Sequence, residues 1–164
     1  LSAIENDRVR LALDDVDVAA VIGSAVETTA LLAGKKKTAV SLDVGRLRPL
    51  RTDARRLLQI LINLLSNAVK YSPPGSRIEL AARHDGDGAL VLSIRDNGIG
   101  MSAEQIRVAL SRFGRVGSAY TAQEGGVGLG LPLAQGLTER LGGRFELSSL
   151  PGAGTTVTLR FPAS

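Results

Sequence analysis

The stretch QILINLLSNAVKYS, residues 59–72, decides how this chain folds. Its apolar residues and the leucine that precedes it recur at the spacing that buries one face of a helix; they are Leu57, Leu61, Leu64, Leu65 and Ala68. Asn63 and Asn67 lie one turn apart, and Lys70 and Tyr71 continue the same line. The stretch therefore predicts a helix, capped at Asp53, with an apolar face and a polar margin.

A polar margin loses hydration when its helix packs against a core, so its groups need partners. Carboxamide oxygens suit a hard cation and an ammonium suits phosphate, so a magnesium-bound triphosphate would satisfy these side chains. A solvated helix face is the simpler explanation of an isolated Asn-x-x-x-Asn pair. Two further motifs favour the nucleotide: DNGIG, residues 96–100, follows a predicted strand, and GGVGLGL, residues 125–131, opens a predicted helix.

Taken in order, NLLSNAVKYS, DNGIGM, RFGR and GGVGLGL resemble the N, G1, F and G2 boxes of histidine kinase catalytic domains. The resemblance covers nearly the whole chain, from residue 8 to residue 162. The implied fold is an α+β two-layer sandwich with a mobile ATP lid. Its sheet is mixed and mostly antiparallel, with about five strands and a small edge pairing, and three main helices cover one face.

The resemblance assigns a role to each residue that matches a motif. Asn67 is expected to bind Mg²⁺, Asn63 to contact the phosphate end or the waters of the metal, and Lys70 to bring positive charge to the phosphates. Tyr71 would pack beside the nucleotide. Asp96 would accept a hydrogen bond from the exocyclic amine of adenine, which selects ATP over GTP.

The same resemblance adds positions around the base, the lid and the phosphates. Thr155 is expected to support the adenine through its hydroxyl or a bridging water. Arg115 would reach the terminal phosphate and join Asn63 and Lys70 as a catalytic residue, although a solvated loop arginine is an equally good interpretation. The remaining ATP-binding positions are Gly98, Ile99, Gly100, Phe113, Gly126, Val127, Gly128, Leu129, Gly130 and Leu131. Leu110 departs from the family pattern, because the F box often has a first phenylalanine there.

Asn63 also discriminates between branches of the superfamily. The DNA gyrase and heat-shock chaperone relatives carry at this position a glutamate that activates water, and so do most anti-sigma serine kinases of similar fold. An amide cannot accept a proton at neutral pH, so hydrolysis should be slow and the phosphate should await another nucleophile. His84 lies in a predicted turn and is expected to be a surface residue, so the acceptor histidine is expected outside this chain.

The implied function is that of a protein-histidine kinase with ATP and Mg²⁺ as cofactors. The domain would donate the γ-phosphate to a histidine on a separate dimerisation domain, for relay to the receiver domain of a response regulator. Residues 1–7 are expected to end an upstream dimerisation helix, and residues 8–164 to form a single catalytic domain. The domain would be cytoplasmic. Its parent protein would be a homodimer, and that parent could be anchored in a membrane. The alternative is a degenerate nucleotide-binding or docking module without phosphotransfer.

Composition excludes several other classes. The 164 residues include no cysteine and one histidine, which excludes disulfides and zinc clusters. Aromatic residues make up 3%, too few for a platform that stacks nucleic acid bases, despite a net charge of +4. The run 35–37, Lys-Lys-Lys, is expected to be a solvated helix end. No apolar run approaches the roughly 18–20 residues of a membrane span, so no membrane contact is expected of this domain.

Local patterns predict the remaining elements. The predicted strands cover residues 8–13, 38–44, 77–83, 89–95, 144–148 and 155–161, and the predicted helices cover 18–32, 54–70, 103–111 and 127–141. Ser102 and Gln105 have the spacing of a capping box. Residues 112–126 contain few large apolar anchors, which predicts a lid that is mobile without ligand and senses the terminal phosphate.

Overall fold

The computed structural model describes residues 10–111 and 130–163. Within these ranges the helices are α1 (Val18–Lys35), α2 (Ala54–Lys70), α3 (Ala103–Leu110) and α4 (Gly130–Arg140). The strands are β1 (Asp14–Val16), β2 (Ala39–Val44), β3 (Leu50–Thr52), β4 (Arg77–His84), β5 (Leu90–Asp96), β6 (Arg144–Ser149) and β7 (Thr155–Phe161). The predicted helices and the predicted strands that correspond to β2, β4, β5, β6 and β7 are each found within a few residues of their expected bounds.

The main sheet has five strands in the order β2-β4-β5-β7-β6. Strand β2 pairs with β4 in parallel, and the other three pairings are antiparallel. Strands β1 and β3 form a separate antiparallel pair. Burial alternates along the central strands β4 and β5, so one face of the sheet packs on the core while the other stays accessible. The predicted α+β sandwich, with its mixed sheet and small edge pairing, is confirmed.

Helix α2 lies at the centre of the core. Its buried residues are Leu57, Ile60, Leu61, Leu64, Leu65, Ala68 and Val69, which include all five of the predicted apolar stripe. The helix packs against α1, α4 and strand β5. Each fully buried leucine contributes about 1.5–3 kcal/mol relative to an exposed one, so this face fixes how α2 lies on the sheet. The polar margin of the same helix is thereby held in one orientation.

Helix α1 corrects the expectation that no apolar run approaches the length of a membrane span. Its 18 residues are long and apolar enough to qualify by length and composition. Core helices of folded domains pass the same test, and the face of α1 that carries Val18, Ile22 and Ala25 is buried in the core beside α2. The length of α1 is therefore weak evidence for a membrane span.

The N-terminal strand lies later in the chain than the alternation of residues 8–13 predicted. Within the described residues, β1 begins at Asp14 and pairs with β3, a three-residue strand that the sequence did not indicate. The backbone amide of Ala12 instead donates to Asp53 Oδ2 at 2.9 Å, which ties this segment to the start of α2. The Ala12 amide is thus bonded to the Asp53 carboxylate and not to the neighbouring strand that the alternation of residues 8–13 had implied.

Helix α1 continues past its predicted end at residue 32. Gly34 lies inside the helix, and Lys36 is the C-cap. Lys37 takes the left-handed conformation, with φ of 54°, that a glycine would adopt more easily. The three lysines at the end of α1 differ in exposure: Lys35 and Lys37 are exposed, and Lys36 is half-buried.

His84 is half-buried, so part of its side chain stays at the surface as predicted while its ring makes specific contacts. Its Nε2 accepts a hydrogen bond from the Arg48 backbone amide at 3.0 Å, and its Nδ1 lies 3.3 Å from Gly88 O. Beside it, Asp85 closes the β4–β5 turn and forms an ion pair with Arg160. The imidazole therefore has a structural role at the end of the sheet away from Asp96.

Several sequence predictions lie outside the described residues. They are the end of an upstream helix at residues 1–7, the lid at residues 112–126, and the start of the last helix at residues 127–129.

Candidate nucleotide site

The polar margin of α2 lies at the edge of the core. Asn63, Asn67, Lys70 and the C-cap residue Tyr71 are all half-buried. The Nδ2 atom of Asn63 is buried and has no hydrogen-bond partner among the described residues. A buried amide hydrogen without a partner costs about 1–3 kcal/mol. The margin therefore holds polar capacity that the described part of the fold leaves unused.

The first residue of α4 lies against this margin. A Cβ atom placed on Gly130 would be 2.7 Å from Asn67 Nδ2 and 3.2 Å from Asn67 Oδ1. A side chain at position 130 would require the Asn67 amide to shift, so glycine lets the backbone approach the amide as it stands. The predicted phosphate-side residues of α2 and the last glycine of GGVGLG are thus brought together. Next to it, Leu131 is half-buried and packs against the core.

Asp96 ends strand β5 and is 8% exposed. Its Oδ1 accepts a hydrogen bond from the backbone amide of Gly98 at 2.7 Å, which forms a tight turn. Burial raises the pKa of Asp96 above its ordinary value, while the backbone amides of Gly98 and Thr155 act in the opposite direction. A carboxylate that is nearly buried yet has spare acceptor capacity suits a ligand that brings a hydrogen-bond donor.

Gly98 joins the Asp96 turn to the end of α2. A Cβ atom at this position would overlap the Tyr71 carbonyl oxygen and lie 2.8 Å from Asp96 Oδ1. Gly98 therefore lies beside Tyr71, and Gly130 lies beside Asn67, one helical turn earlier in α2. The two glycine motifs follow one another along a single helix margin.

The loop at residues 96–101 is held against the β6–β7 turn. The Gly152 amide donates to Ile99 O at 2.7 Å, and a Cβ atom on Gly100 would overlap Leu150 O. Gly100 also has φ of 70°, where a side chain is strained. The side chain of Ile99 is 57% exposed, so it is available to an apolar ligand surface.

Ser149 is a residue of the site that the sequence interpretation missed. Its Oγ accepts a hydrogen bond from the Met101 amide at 2.8 Å, donates to Gly154 O at 2.9 Å and lies 2.8 Å from Thr155 Oγ1. Asp96 and Thr155 are direct partners in the β5–β7 pairing. One signal was present in the sequence: Ser149 continues the inward-facing series of Phe145 and Leu147, where a polar residue is unexpected.

The structure thus brings most of the predicted site residues together along α2. The residues predicted on the base side are Tyr71, Asp96, Gly98, Ile99, Gly100 and Thr155, and those predicted on the phosphate side are Asn63, Asn67, Lys70, Gly130 and Leu131. At about 1.5 Å per residue, Asn63 lies about 12 Å along the helix from Tyr71. The other predicted residues lie outside the described ranges; they are Phe113, Arg115, Gly126, Val127, Gly128 and Leu129.

Residues 52–164 match the family model described as Histidine kinase-, DNA gyrase B-, and HSP90-like ATPase. The chain is 31% identical over 171 residues to the cell-division control histidine kinase PdhS of Brucella canis, which covers 99% of the chain but only 16% of PdhS. The full-length structure of ShkA in complex with AMPPNP superposes with a TM-score of 0.80 at 25% identity, over 95% of this chain and 32% of ShkA. The Acinetobacter baumannii histidine kinase AdeS has the same fold, with a TM-score of 0.76 at 24% identity, over 99% of this chain and 73% of AdeS.

The chain belongs to the family of histidine kinase-, DNA gyrase B- and HSP90-like ATPases. Within that family it is a catalytic, ATP-binding domain of the histidine kinase type, as the four sequence motifs predicted. It spans about one sixth of the length of the curated relatives that it matches.

Proposed function

We propose that this domain binds Mg-ATP along the margin of α2 and donates the γ-phosphate to a histidine on a separate dimerisation domain. The observation that carries the proposal is the order of contacts along one helix. Gly98, whose amide donates to Asp96, meets α2 at Tyr71, and Gly130 meets it at Asn67 one turn earlier. An adenine at the first contact and a triphosphate at the second fit a nucleotide that runs along the helix towards Asn63.

In this proposal Asp96 recognises the base. Its carboxylate accepts a hydrogen bond from the exocyclic amine of adenine, and the keto oxygen of guanine would face the same carboxylate unfavourably. Thr155 supports the base through its hydroxyl, and Ile99 provides apolar contact beside Gly98 and Gly100. The co-crystallisation of ShkA with AMPPNP, an ATP analogue, supports an adenine nucleotide as the ligand of this fold.

The phosphate side fits a magnesium ion that is shared with the nucleotide. The described residues include no cluster of three or more histidine, cysteine or acidic side chains that could hold a metal. Mg²⁺ needs no such cage, because it retains waters and takes one or two protein oxygens together with phosphate oxygens. We assign Oδ1 of Asn67 to that role, with Asn63 towards the terminal phosphate. When bound, the ion neutralises charge on the phosphates.

The identity of Asn63 favours transfer to another protein over hydrolysis. Its carboxamide orients a phosphate or a water but cannot take a proton from that water. Lys70, the last residue of α2, is proposed to bring positive charge to the phosphates, and Arg115 to stabilise the charge that develops during transfer. The acceptor is then an imidazole supplied by the dimerisation helices of the parent protein.

The names of the relatives extend the proposal to the parent protein. PdhS and AdeS are named as histidine kinases, which favours a homodimeric parent that passes phosphate to the receiver domain of a response regulator. Residues 1–7 would then end the dimerisation helices, and residues 8–164 would form the catalytic domain. A cytoplasmic location follows from the need for ATP and a receiver domain, whether or not the parent is anchored in a membrane.

Isothermal titration of the domain with nucleotides tests the binding proposal. ATP is expected to bind with a Kd in the micromolar range or weaker, about −8 kcal/mol or less in magnitude, and GTP much more weakly. Asn67→Ala should weaken binding in Mg²⁺ more than in EDTA, whereas a base-side variant should weaken both equally. Equal affinities for ATP and GTP would refute the role of Asp96.

Phosphotransfer is tested by mixing the domain with the dimerisation domain of its parent and radiolabelled ATP. The expected product is an acid-labile, base-stable phosphoprotein on the dimerisation domain. ATP binding without any transfer would instead support the alternative of a nucleotide-binding or docking module. Rapid ATP hydrolysis by the domain alone would contradict the role assigned to Asn63.

A further inference from the structure

The Lys-Lys-Lys run at residues 35–37, read from sequence as a solvated helix end, contains one lysine with a specific contact. Lys36 Nζ donates to two carbonyl oxygens at the end of α2, Val69 O and Lys70 O, each at 2.9 Å. Lys36 is half-buried, while Lys35 is exposed. This contact joins the end of α1 to the last turn of α2, which carries Lys70.

The sequence after α2 explains why a side chain is needed there. The last four carbonyl groups of a helix lack partners within the helix, and backbone amides of the next residues usually satisfy some of them. Here positions 73 and 74 are prolines, which have no amide hydrogen to donate. The chain following α2 therefore offers fewer donors than an ordinary helix end.

The four terminal carbonyls are nonetheless all satisfied. Asn67 O accepts from the Tyr71 amide at 3.1 Å, and Ala68 O accepts from Ser72 Oγ at 2.6 Å. The carbonyls of residues 69 and 70 accept from Lys36 Nζ, with the Ser72 amide a longer second donor to the former at 3.4 Å. The ammonium also lies at the negative end of the α2 dipole, where a cation is favourable.

We infer that Lys36 is a positioning residue for nucleotide binding, which acts by fixing the last turn of α2. This inference rests on the proposed function, because it assumes that the α2 margin is the nucleotide site. The peptide that Lys36 holds is that of Lys70, whose side chain is assigned to the phosphates. The next carbonyl, Tyr71 O, is the one against which Gly98 packs. Both the phosphate side and the base side therefore depend on where α2 ends.

Three variants test the inference. Lys36→Met keeps the aliphatic stem and removes the ammonium, Lys36→Arg restores a cationic donor, and Lys35→Met removes an exposed charge from the same run. Charge-assisted hydrogen bonds to carbonyls of this kind are worth enough for a loss of about tenfold in ATP affinity in Lys36→Met. Lys36→Arg should recover most of the affinity, and Lys35→Met should retain all of it.

Amide hydrogen exchange separates positioning from a general loss of stability. In Lys36→Met the amides of Tyr71 and Ser72 should exchange faster, while the hairpin amide of Ala89, bonded to Asp85 Oδ1 at 3.0 Å, should not change. Faster exchange at both places would mean that the variant is globally destabilised and would refute a local role. Unchanged exchange at residues 71 and 72, or unchanged ATP affinity, would also overturn the inference.

An error in the proposed function would be distinguishable from an error in the role of Lys36. If the wild-type domain binds no ATP, the nucleotide assignment is wrong, and Lys36 can then act only in stability. If Lys36→Met does not fold, Lys36→Gln keeps a neutral NH₂ donor on a shorter side chain and removes the charge. That variant is expected to lie between the wild-type domain and complete loss in both affinity and exchange, and wild-type values would contradict the inference.

Discussion

At the scale of single residues, the carboxylate of Asp96 is costly to bury but is needed as an acceptor for the proposed ligand. Burial raises its pKa, and the backbone amides of Gly98 and Thr155 only partly offset that cost. Because its pKa in the fold is raised, the ionised carboxylate costs stability at neutral pH, and the cost disappears as pH falls through the raised pKa. A ligand that donates a hydrogen bond reverses the balance, because it favours the charged form.

Asp96→Asn should therefore weaken binding without weakening the fold. The amide oxygen can still accept from Gly98, but its NH₂ group faces the amine of adenine, so ATP affinity should fall about tenfold or more. The free energy of unfolding at pH 7, measured with urea, should stay the same or rise, because no charge is buried. Asn97→Ala, at the exposed neighbouring position, serves as the control for both measurements.

The same residue predicts a pH dependence of binding. The ADP affinity of the wild-type domain should fall as pH drops through the raised pKa of Asp96. The reason is that the Asp96 carboxyl group must lose its proton before it can accept a hydrogen bond from the adenine amine. Titrations in two buffers of different ionisation enthalpy would detect that proton. Asp96→Asn should lack this component, and identical pH profiles for the two proteins would contradict the assignment.

Ser149→Ala should loosen the loop that presents Asp96. The substitution removes the acceptor of the Met101 amide and the donor to Gly154 O, which should lower the free energy of unfolding by about 1–2 kcal/mol. ATP affinity should fall several-fold, and the preference for ATP over GTP should narrow because the base-side loop is no longer held. Ser148→Ala is the matched control, since Ser148 is exposed one residue earlier on the same strand. An unchanged ATP-to-GTP preference in Ser149→Ala would argue against its positioning role.

At the scale of elements, the start of α2 depends on Asp53. Its Oδ1 accepts from the Arg56 amide at 3.1 Å, and its Oδ2 accepts from the Ala12 amide. Burial raises the pKa of Asp53, but the backbone amides of Ala12, Arg56 and Arg55 and the charge of Arg56 outweigh it, so the net pKa is below the ordinary value. Asp53 therefore stabilises the fold above its unfolded pKa, and this contribution is lost as pH falls through the lowered value.

Asp53→Ala should reduce the free energy of unfolding by about 1–3 kcal/mol at pH 7, since a cap and a tertiary hydrogen bond are both removed. Urea titrations at pH 7 and at about pH 3 should show the difference from wild type shrinking at the lower pH. Asp17→Ala is the control at the corresponding position of α1, where the side chain accepts from the Ala20 amide at 3.3 Å. A larger effect of Asp17→Ala would show that cap geometry does not determine the cost.

Helices could be predicted from the sequence more reliably than short strands. Helix α2 carries many apolar residues at one period, a cap at Asp53 and two prolines after its end, so independent signals agree. Strands β1 and β3 have three residues each, too few for alternation to be visible. Their pairing joins partners that are far apart in the chain, such as Asp14 and Thr52, and no local pattern specifies that distance.

The same distinction applies to the site. Asn67, Asp96 and Gly130 belong to motifs whose spacing identifies them, and the structure brings the first and last together as the motifs implied. Ser149 and Lys36 act through backbone groups that are distant in the chain, Met101 N and Lys70 O. A side chain that supports a distant backbone leaves little trace in its own sequence neighbourhood.

At the scale of the whole molecule, the sheet order determines which segment the domain cannot lose. Strand β7 is internal and pairs with both β5 and β6, and its residues Val157, Leu159 and Phe161 are buried. Truncation after residue 154 should therefore unfold the domain and abolish ATP binding, as measured by circular dichroism and calorimetry. Truncation after residue 161 removes only residues beyond β7 and should preserve both. A folded, ATP-binding protein ending at residue 154 would contradict the importance of β7.

The internal position of β7 also has a consequence for synthesis on the ribosome. The chain is synthesised from its N-terminus, so β5 and β6 leave the exit tunnel before β7. Strand β7 must nevertheless lie between β5 and β6 in the sheet. Until residues 155–161 are released, β5 and β6 each present an open edge to other nascent chains. We expect the domain to complete folding only after β7 has cleared the tunnel, so a stalled intermediate that lacks this strand should require a chaperone to stay soluble.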